Sequence, residues 1–491
     1  MGSVPTKEMV KLWLNELITI GKNMTGRRDF LKGTLWMGAV AVAGAAKCDL
    51  SLPGGAMATY AAPQLKQVRV GVVGLGRRGQ GAVHRVSQIP GVVITALCDV
   101  REEMVVWQRH YLKKAGKPAA KEFVGKEGWK ALCQWDGVDV IYNATDWASH
   151  AMISLEAMRS GKHALTEVPA AMTLDECWEL VETSEKTKCH CMQLENCCYG
   201  EIEMLAFNIC HQGLLGDLTH GECAYIHDLR WNNMNDYFGH WRLKWNIKHK
   251  GNQYPTHGLA PICQYMDVNR GDRLDYLVSL ESKSAAMAQY ARETIGNPED
   301  WRRKADIQMG DMNTTLIRTV KGRSIMVQHD VSTPRPYSRI NFIGGTKGVL
   351  CDYPYRLAVE TKPGAGAHEF NRALAAEWRA KYAHPLWKRA GEIAQKVGGH
   401  GGMDCLMDLR WAYGLQNGLP LDMNVYDLAT TCSICELSER SVRNRSCPVD
   451  VPDFTRGAWK TTPPLGLADV DLKKMGLDCS GVQKDESALN V

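Results

Sequence analysis

No stretch of this 491-residue chain reaches the ~20 consecutive apolar residues that a membrane-crossing helix needs; the one apolar run near the start, Gly33 to Ala46, stops at 14. Charge of one sign is also missing. Lys and Arg number 59 against 54 Asp and Glu, and a net +5 is too slight over this length for the basic footprint of a nucleic-acid binder. The 17 cysteines, an odd count spread along the chain, do not make the dense framework of a disulfide-stapled scaffold. Their close pairs, Cys189/Cys191, Cys197/Cys198 and Cys432/Cys435, come without a second CxxC or an HxxxH partner, so no metal site is expected and most thiols should be buried. Internal repeats and low-complexity tracts are absent too. With 45% hydrophobic and 23% charged residues, disorder, collagen and coiled coil are excluded for the whole, leaving a folded protein of about three domains that works on small molecules.

What is present begins with Thr25-Gly26-Arg27-Arg28-Asp29-Phe30-Leu31-Lys32 ahead of the short apolar run, a segment that resembles the twin-arginine export signal. Residues 1–47 are therefore expected to be a signal peptide, and the protein to reach the periplasm already folded, with any cofactor bound. Residues 48–66, which include Leu52-Pro53-Gly54-Gly55 and Ala61-Ala62-Pro63, are expected to be cleavage region and linker. Cys48 would suit a lipoprotein, but Lys47 stands where such signals need a small residue, so neither lipidation nor stable membrane insertion is expected.

From Val68 strand and helix alternate. The β-branched run Val68 to Val73 opens into Gly74-Leu75-Gly76-Arg77-Arg78-Gly79 and a helix-compatible stretch. A second apolar run, Val92 to Cys98, ends in Asp99, twenty residues past Gly79, where a carboxylate accepts from an adenosine ribose. In such a loop Gly74 makes the turn, Gly76 lets backbone approach the pyrophosphate, and Gly79 lets helix and strand pack. Asp99 favours NAD over NADP, although Arg77, Arg78 and Arg101 are in principle able to hold a 2′-phosphate. Further strands at Val138 to Ala144, His163 to Thr166 and Cys189 to Glu195, with helices near Ser149 to Ser160 and from the capping box Thr173-Leu174-Asp175-Glu176 to about Lys186, imply a doubly wound parallel sheet over residues 67–197.

After Asn208 the pattern changes. Leu218 to Ile226, Tyr276 to Ser282, Thr314 to Val320, Ser324 to His329 and Arg339 to Ile343 read as strands without regular intervening helices, predicting an α+β domain over 198–460 with an open, largely antiparallel sheet. Asp422 to Ser441 reads as one helix in which Cys432 and Cys435 are a buried face. Gly398-Gly399-His400-Gly401-Gly402 reads equally as a lid or a plain loop, and 461–491 as a loosely packed tail.

This combination resembles the glucose-fructose oxidoreductase and inositol dehydrogenase superfamily. Its catalytic Glu-Lys-Pro motif falls on Glu167-Val168-Pro169, without the lysine, and its Asp-x-x-x-His motif on Gln253 to His257, without the acid. Both changes weaken an alcohol dehydrogenase reading, since hydride transfer from a hydroxyl needs a base. A closer resemblance is carried by Leu194-Glu195-Asn196-Cys197-Cys198-Tyr199, His227-Asp228-Leu229-Arg230, Gly251 to Gly258, Asn269-Arg270-Gly271-Asp272-Arg273 and Pro334-Arg335-Pro336-Tyr337-Ser338. From about Val68 to Asp453 these look like glycoside hydrolase family 109; Ala260 stands where glycine is expected.

That resemblance implies an NAD-dependent α-N-acetylgalactosaminidase acting on glycans or glycoconjugates. Hydride would pass from sugar C3 to NAD⁺, the C3 ketone would acidify the C2 proton, a base would remove it, the glycosidic oxygen would leave, and water and hydride would then be added back. No paired carboxylates of the usual glycosidase kind are needed. By motif position the resemblance places Tyr199, Arg242, Tyr254, Pro255, Thr256, His257 and Tyr337 around the sugar. It makes His257 the candidate acid/base and Tyr199 the other candidate for the C2 base. On the cofactor side it places Gly74, Gly76, Arg77, Arg78, Gly79, Asp99, Trp147, His150, Glu167, Val168 and Asn196. A periplasmic NAD(P)-dependent sugar oxidoreductase is the alternative, an inactive sugar-binding protein a third; a homo-oligomer is left open.

Overall fold

A computed structural model describes residues 54–466 and 469–477; the signal segment, Cys48 and the first linker residues lie outside them. The first sheet has six parallel strands, β1 (Val68–Val73), β2 (Val92–Asp99), β3 (Lys121–Val124), β4 (Val140–Asn143), β5 (His163–Thr166) and β6 (Cys191–Gln193), in the order β3-β2-β1-β4-β5-β6. Strand order reverses between β1 and β4, the switch point at which such sheets bind dinucleotides. β1 and β4 are almost wholly buried, as strands covered on both faces must be. The capping box forms as the sequence predicts: Thr173 Oγ1 accepts from the Glu176 amide at 3.2 Å, and Glu176 Oε2 accepts from the Thr173 amide at 3.1 Å, starting helix Leu174–Thr187.

The second sheet has eight strands, β7 (Leu218–Ile226), β8 (Leu274–Glu281), β9 (Asn313–Thr319), β10 (Ser324–Asp330), β11 (Phe342–Gly345), β12 (Gly348–Cys351), β13 (Arg356–Val359) and β14 (Val449–Asp450). Its order is β13-β12-β11-β7-β10-β9-β8-β14, antiparallel throughout except where β10 runs parallel to β7. The strand expected at Arg339 to Ile343 starts later, at Phe342. Ile340 and Asn341 adopt φ of 62° and 49°, which an extended strand does not accommodate. The helix expected over Asp422 to Ser441 is two, Val425–Cys432 capped by Asn424 and Ile434–Arg443, parted at Ser433. Cys432 and Cys435 are fully buried but in different apolar clusters, and burial pushes the Cys432 thiol up to about 12.

The cores cross the expected cut at 197/198. Helices Pro385–Val397 and Met403–Asn417 pack Leu386, Ile393, Leu406 and Trp411 against Val68, Val70 and Val72 of β1. Helix Val425–Cys432 packs on helix Leu174–Thr187. A parallel sheet needs both faces covered, and chain from beyond residue 385 supplies one cover. The described parts of the expected linker and of the tail expected to be loosely packed are also docked. In the linker Met57 and Ala62 are buried, with the Met57 amide donating to Tyr426 Oη and the Ala62 amide to His190 Nε2. In the tail Val470 and Met475 join the first core, and Asp469 pairs with Arg389 at 2.9 Å. Among the described residues no helix is long and apolar enough to cross a membrane.

Candidate active site

The glycine loop ends β1. Gly74 has φ 83°, closed to residues with a Cβ, and a Cβ on Gly79 would stand 1.8 Å from the Gly74 carbonyl oxygen, so helix Arg77–Val86 could not approach the strand with any larger residue there. Gly76 differs: a Cβ there would meet nothing nearer than Arg101 Nη2 at 3.9 Å, so this side of the loop is open. Gly76 also caps the helix without a side-chain hydrogen bond, which leaves the first-turn amides facing outward, the arrangement that receives a phosphate. Asp99, buried at the end of β2, accepts from the Leu75 amide at 2.7 Å and the Arg101 amide at 2.9 Å, tying the loop to the second strand. Loop and donor set fit a dinucleotide.

An ionic network centred on the buried Asp404 lies beside this loop. Arg78 gives Nη2 to Glu167 Oε1 at 2.6 Å and Nη1 to Asp404 Oδ2 at 3.0 Å. Asp404 also accepts from Asn196 Nδ2 at 2.6 Å and His400 Nδ1 at 2.9 Å, and Arg85 lies 3.6 Å away. Burial opposes its charge, yet Arg78, His400 and Arg85 hold its carboxyl well below the usual carboxylate range. Two expected cofactor residues, Arg78 and Asn196, are thus fixed by one carboxylate from a helix far along the chain, and a third, Glu167, is held through Arg78. His150 is buried with its ring nitrogens at the Pro169 and Thr145 carbonyls, 2.7 and 3.1 Å away, so it ties the loop after β4 to the loop after β5; burial lowers its pKa. Val168, where the superfamily has lysine, packs in one buried cluster with Trp147, Tyr225 and Tyr254.

His257 stands on the first turn of helix Thr256–Tyr265, which Pro255 precedes and the buried Thr256 begins. Its Nδ1 faces Glu195 Oε1 at 2.6 Å. A carboxylate only accepts, so Nδ1 carries a proton toward Glu195 and Nε2, 3.4 Å from Tyr254 Oη, is the nitrogen left for proton transfer. Glu195 is fully buried; burial opposes its charge, but the His257 imidazole and its hydrogen bonds hold its carboxyl below the usual range. Around the imidazole Tyr225 lies 5.3 Å and Tyr254 4.8 Å away by ring centroids, and Tyr337 stands 6.2 Å from Tyr225. Arg242 is buried beneath them, 4.6 Å from the Trp147 ring and 4.9 Å from that of Tyr254. Its Nη1 donates to Tyr237 Oη at 3.1 Å, while Nε and Nη2 have no hydrogen-bond partner among the described residues. A buried guanidinium with two idle donors costs several kcal/mol unless something polar meets it, on the order of 1–3 kcal/mol per group.

Tyr199 is the correction. Its hydroxyl donates to Asp422 Oδ2 at 2.9 Å inside the first core, and Asp422 is held by Arg410 at 2.6 Å. Burial and the Asp422 charge push the phenol well above its usual value, the reverse of what a base needs. Tyr337 is reached from outside, with its hydroxyl accepting from Arg339 Nη1 at 2.9 Å. Glu195 and Tyr225 do not stand out in the sequence, although Glu195 lies within a motif segment. His227 opens another motif segment and His329 lies in none; burial and Arg242 pull their imidazoles down to about 4 and about 3 and so keep them neutral. Glu195, Cys197 and His257 bring ligand atoms within 4.8 Å of one another, but Glu195 and His257 are bonded to each other and burial holds the Cys197 thiol protonated, a poor donor set for a metal.

Residues 199–461 match the family described as glycosyl hydrolase 109, C-terminal domain, and residues 68–194 the oxidoreductase family with an NAD-binding Rossmann fold. An alpha-N-acetylgalactosaminidase of Bacteroides fragilis is 47% identical over 403 residues, 81% of this chain and 94% of that protein. A glycosyl hydrolase family 109 protein of Shewanella pealeana is 46% identical over 409 residues, 82% of this chain and 89% of its own. Among solved structures, levoglucosan dehydrogenase in complex with NADH and levoglucosan superposes with a TM-score of 0.60 at 17% identity, covering 79% of this chain and all of that one; the likeness is of fold.

Proposed function

The chain belongs to glycosyl hydrolase family 109, and from that premise we propose that it hydrolyses terminal α-linked N-acetylgalactosamine in glycans or glycoconjugates by oxidation, elimination, water addition and reduction in one site. The observation that carries the reading is the Glu195–His257 pair: an imidazole with a fixed tautomer, its Nε2 among tyrosines and above a buried arginine, beside the cofactor loops. Gly74, Gly76 and Gly79 with the uncapped amides of helix Arg77–Val86 would take the pyrophosphate, Asp99 the adenosine ribose, and Arg77, Arg78, Trp147, His150, Glu167, Val168 and Asn196 would frame the rest. When bound, NAD supplies the acceptor for the C3 hydride and later its donor.

His257 Nε2 removes the C2 proton that a C3 ketone acidifies and, as an imidazolium stabilised by Glu195, gives a proton back at C2 when water adds at C1; the C3 hydroxyl proton passes to solvent during oxidation and returns during reduction, and the glycosidic oxygen takes a proton from water as it leaves. Arg242 donates from Nε and Nη2 to sugar oxygens, while Tyr225, Tyr254 and Tyr337 wall the pocket and offer hydroxyls. Tyr199 takes no part as base in this scheme. Val168, apolar at the position of that superfamily's proton-accepting lysine, leaves the C3 hydroxyl proton to solvent in this scheme and sets the chain apart from the lysine-bearing sugar oxidoreductases. Hydrolysis in D₂O tests the scheme: N-acetylgalactosamine released with deuterium at C2 is the expected product, and release without it would mean direct displacement. We further propose export by the twin-arginine route to the periplasm, supported by Arg27-Arg28 before the apolar run.

A further inference from the structure

Residues 231–240 make a strap between β7 and helix Trp241–Lys248. Its root is firm. Met234 is fully buried with Leu243, Met287, Ala291 and Ile307, and Arg302 Nη1 donates to the Met234 carbonyl at 2.5 Å. Its outer part reaches the dinucleotide domain at two points: Asp236 Oδ2 accepts from Arg77 Nη1 at 2.7 Å, and the Phe238 ring lies 4.5 Å from the Arg101 guanidinium. Arg77 opens the helix after the glycine loop, and Arg101 stands two residues beyond Asp99. The strap therefore spans from the end of β1 to the end of β2, the edge on which the adenosine half of a dinucleotide lies in this topology. Phe238 is 61% exposed, so the fold itself gains little from burying it.

We propose that Asp236 and Phe238, acting on Arg77 and Arg101, clasp the adenosine end of the dinucleotide and keep it in place through turnover. The inference rests on the redox-neutral reading above: a cofactor that left after taking the C3 hydride would strand an oxidised sugar, so the cycle requires retention. The same contacts engage two of the arginines that would otherwise be disposed to meet a 2′-phosphate, which turns the site toward NAD.

The test loads the purified full chain with NADH, displaces it with excess NAD⁺ and follows the fall in NADH fluorescence. Both contacts are at the surface, so Asp236→Ala and Phe238→Ala should each release NADH only about fivefold faster, and the double variant faster than either. Phe238→Tyr should restore the wild-type rate. Asn235→Ala, exposed on the same strap, should leave it unchanged, as should melting measured without dinucleotide. Release from both alanine variants at the wild-type rate would overturn the clasp. Faster release from a protein that hydrolyses no glycoside would uphold the clasp while the proposed activity fell; a chain that holds no NADH would overturn both.

Discussion

With Nδ1 given to Glu195 at 2.6 Å, His257 keeps one nitrogen for proton transfer, and the two residues should fail in different ways. His257→Ala removes the base and should lower kcat by about 10²–10⁴. Glu195→Gln keeps the shape but lets the ring choose its tautomer; kcat should fall with KM little changed, and the pH profile should shift, as measured by steady-state kinetics across pH. Tyr199→Phe should cost stability, about 1–3 kcal/mol for a buried Asp422 left short of a donor, and spare the chemical step in single-turnover assays. Asp404 gives the clearest pH signature. Its carboxyl is depressed in the folded state, so its stabilisation is present above the unfolded value of about 4 and is lost as pH falls below it toward the folded value. Asp404→Asn should therefore be destabilised by about 3–5 kcal/mol at neutral pH, and denaturation curves should show the gap to wild type narrowing in acid.

At the scale of elements, legibility followed locality. The turn from β1 into Arg77–Val86, the capping box at Thr173 and strand β7 are written in adjacent residues, and the structure has each where spacing and β-branched runs place it. Helix Met403–Asn417 is buried on nearly every side, so it shows no apolar stripe from which its role as a sheet cover could be read. The Glu195–His257 pair joins residues 62 apart, Arg78–Asp404 residues 326 apart and Tyr199–Asp422 residues 223 apart, and no local pattern signals such meetings. Tyr199 misled because it closes a motif segment, whereas its direction is decided by the short turn Asn196–Tyr199 and a distant carboxylate. Two element-level outcomes follow. Gly79→Ala should abolish dinucleotide binding, since its Cβ would drive the helix off the Gly74 carbonyl, as read by NADH titration. Trp411→Ala should cost about 3–5 kcal/mol and, because that helix carries Asp404, should weaken NADH binding as well.

Across the whole molecule the two sheets divide the labour: the parallel one presents its carboxyl edge to the dinucleotide, and β7 with the helices Trp241–Lys248 and Thr256–Tyr265 brings Tyr225, Arg242 and His257 to that edge. The proposed export by the twin-arginine route predicts that cells carrying Arg27→Lys with Arg28→Lys retain the protein in the cytoplasm on fractionation, and a cycle that ends with its cofactor unchanged suits that proposal. The central claim is the redox-neutral cleavage of a glycoside. The purified protein, given p-nitrophenyl α-N-acetylgalactosaminide and no added nicotinamide, should release p-nitrophenol over many turnovers without accumulating reduced nicotinamide, and His257→Ala should abolish that release. Absence of release, with steady growth of reduced-nicotinamide absorbance once free sugars and NAD⁺ are supplied, would contradict the account and place the protein among the sugar dehydrogenases.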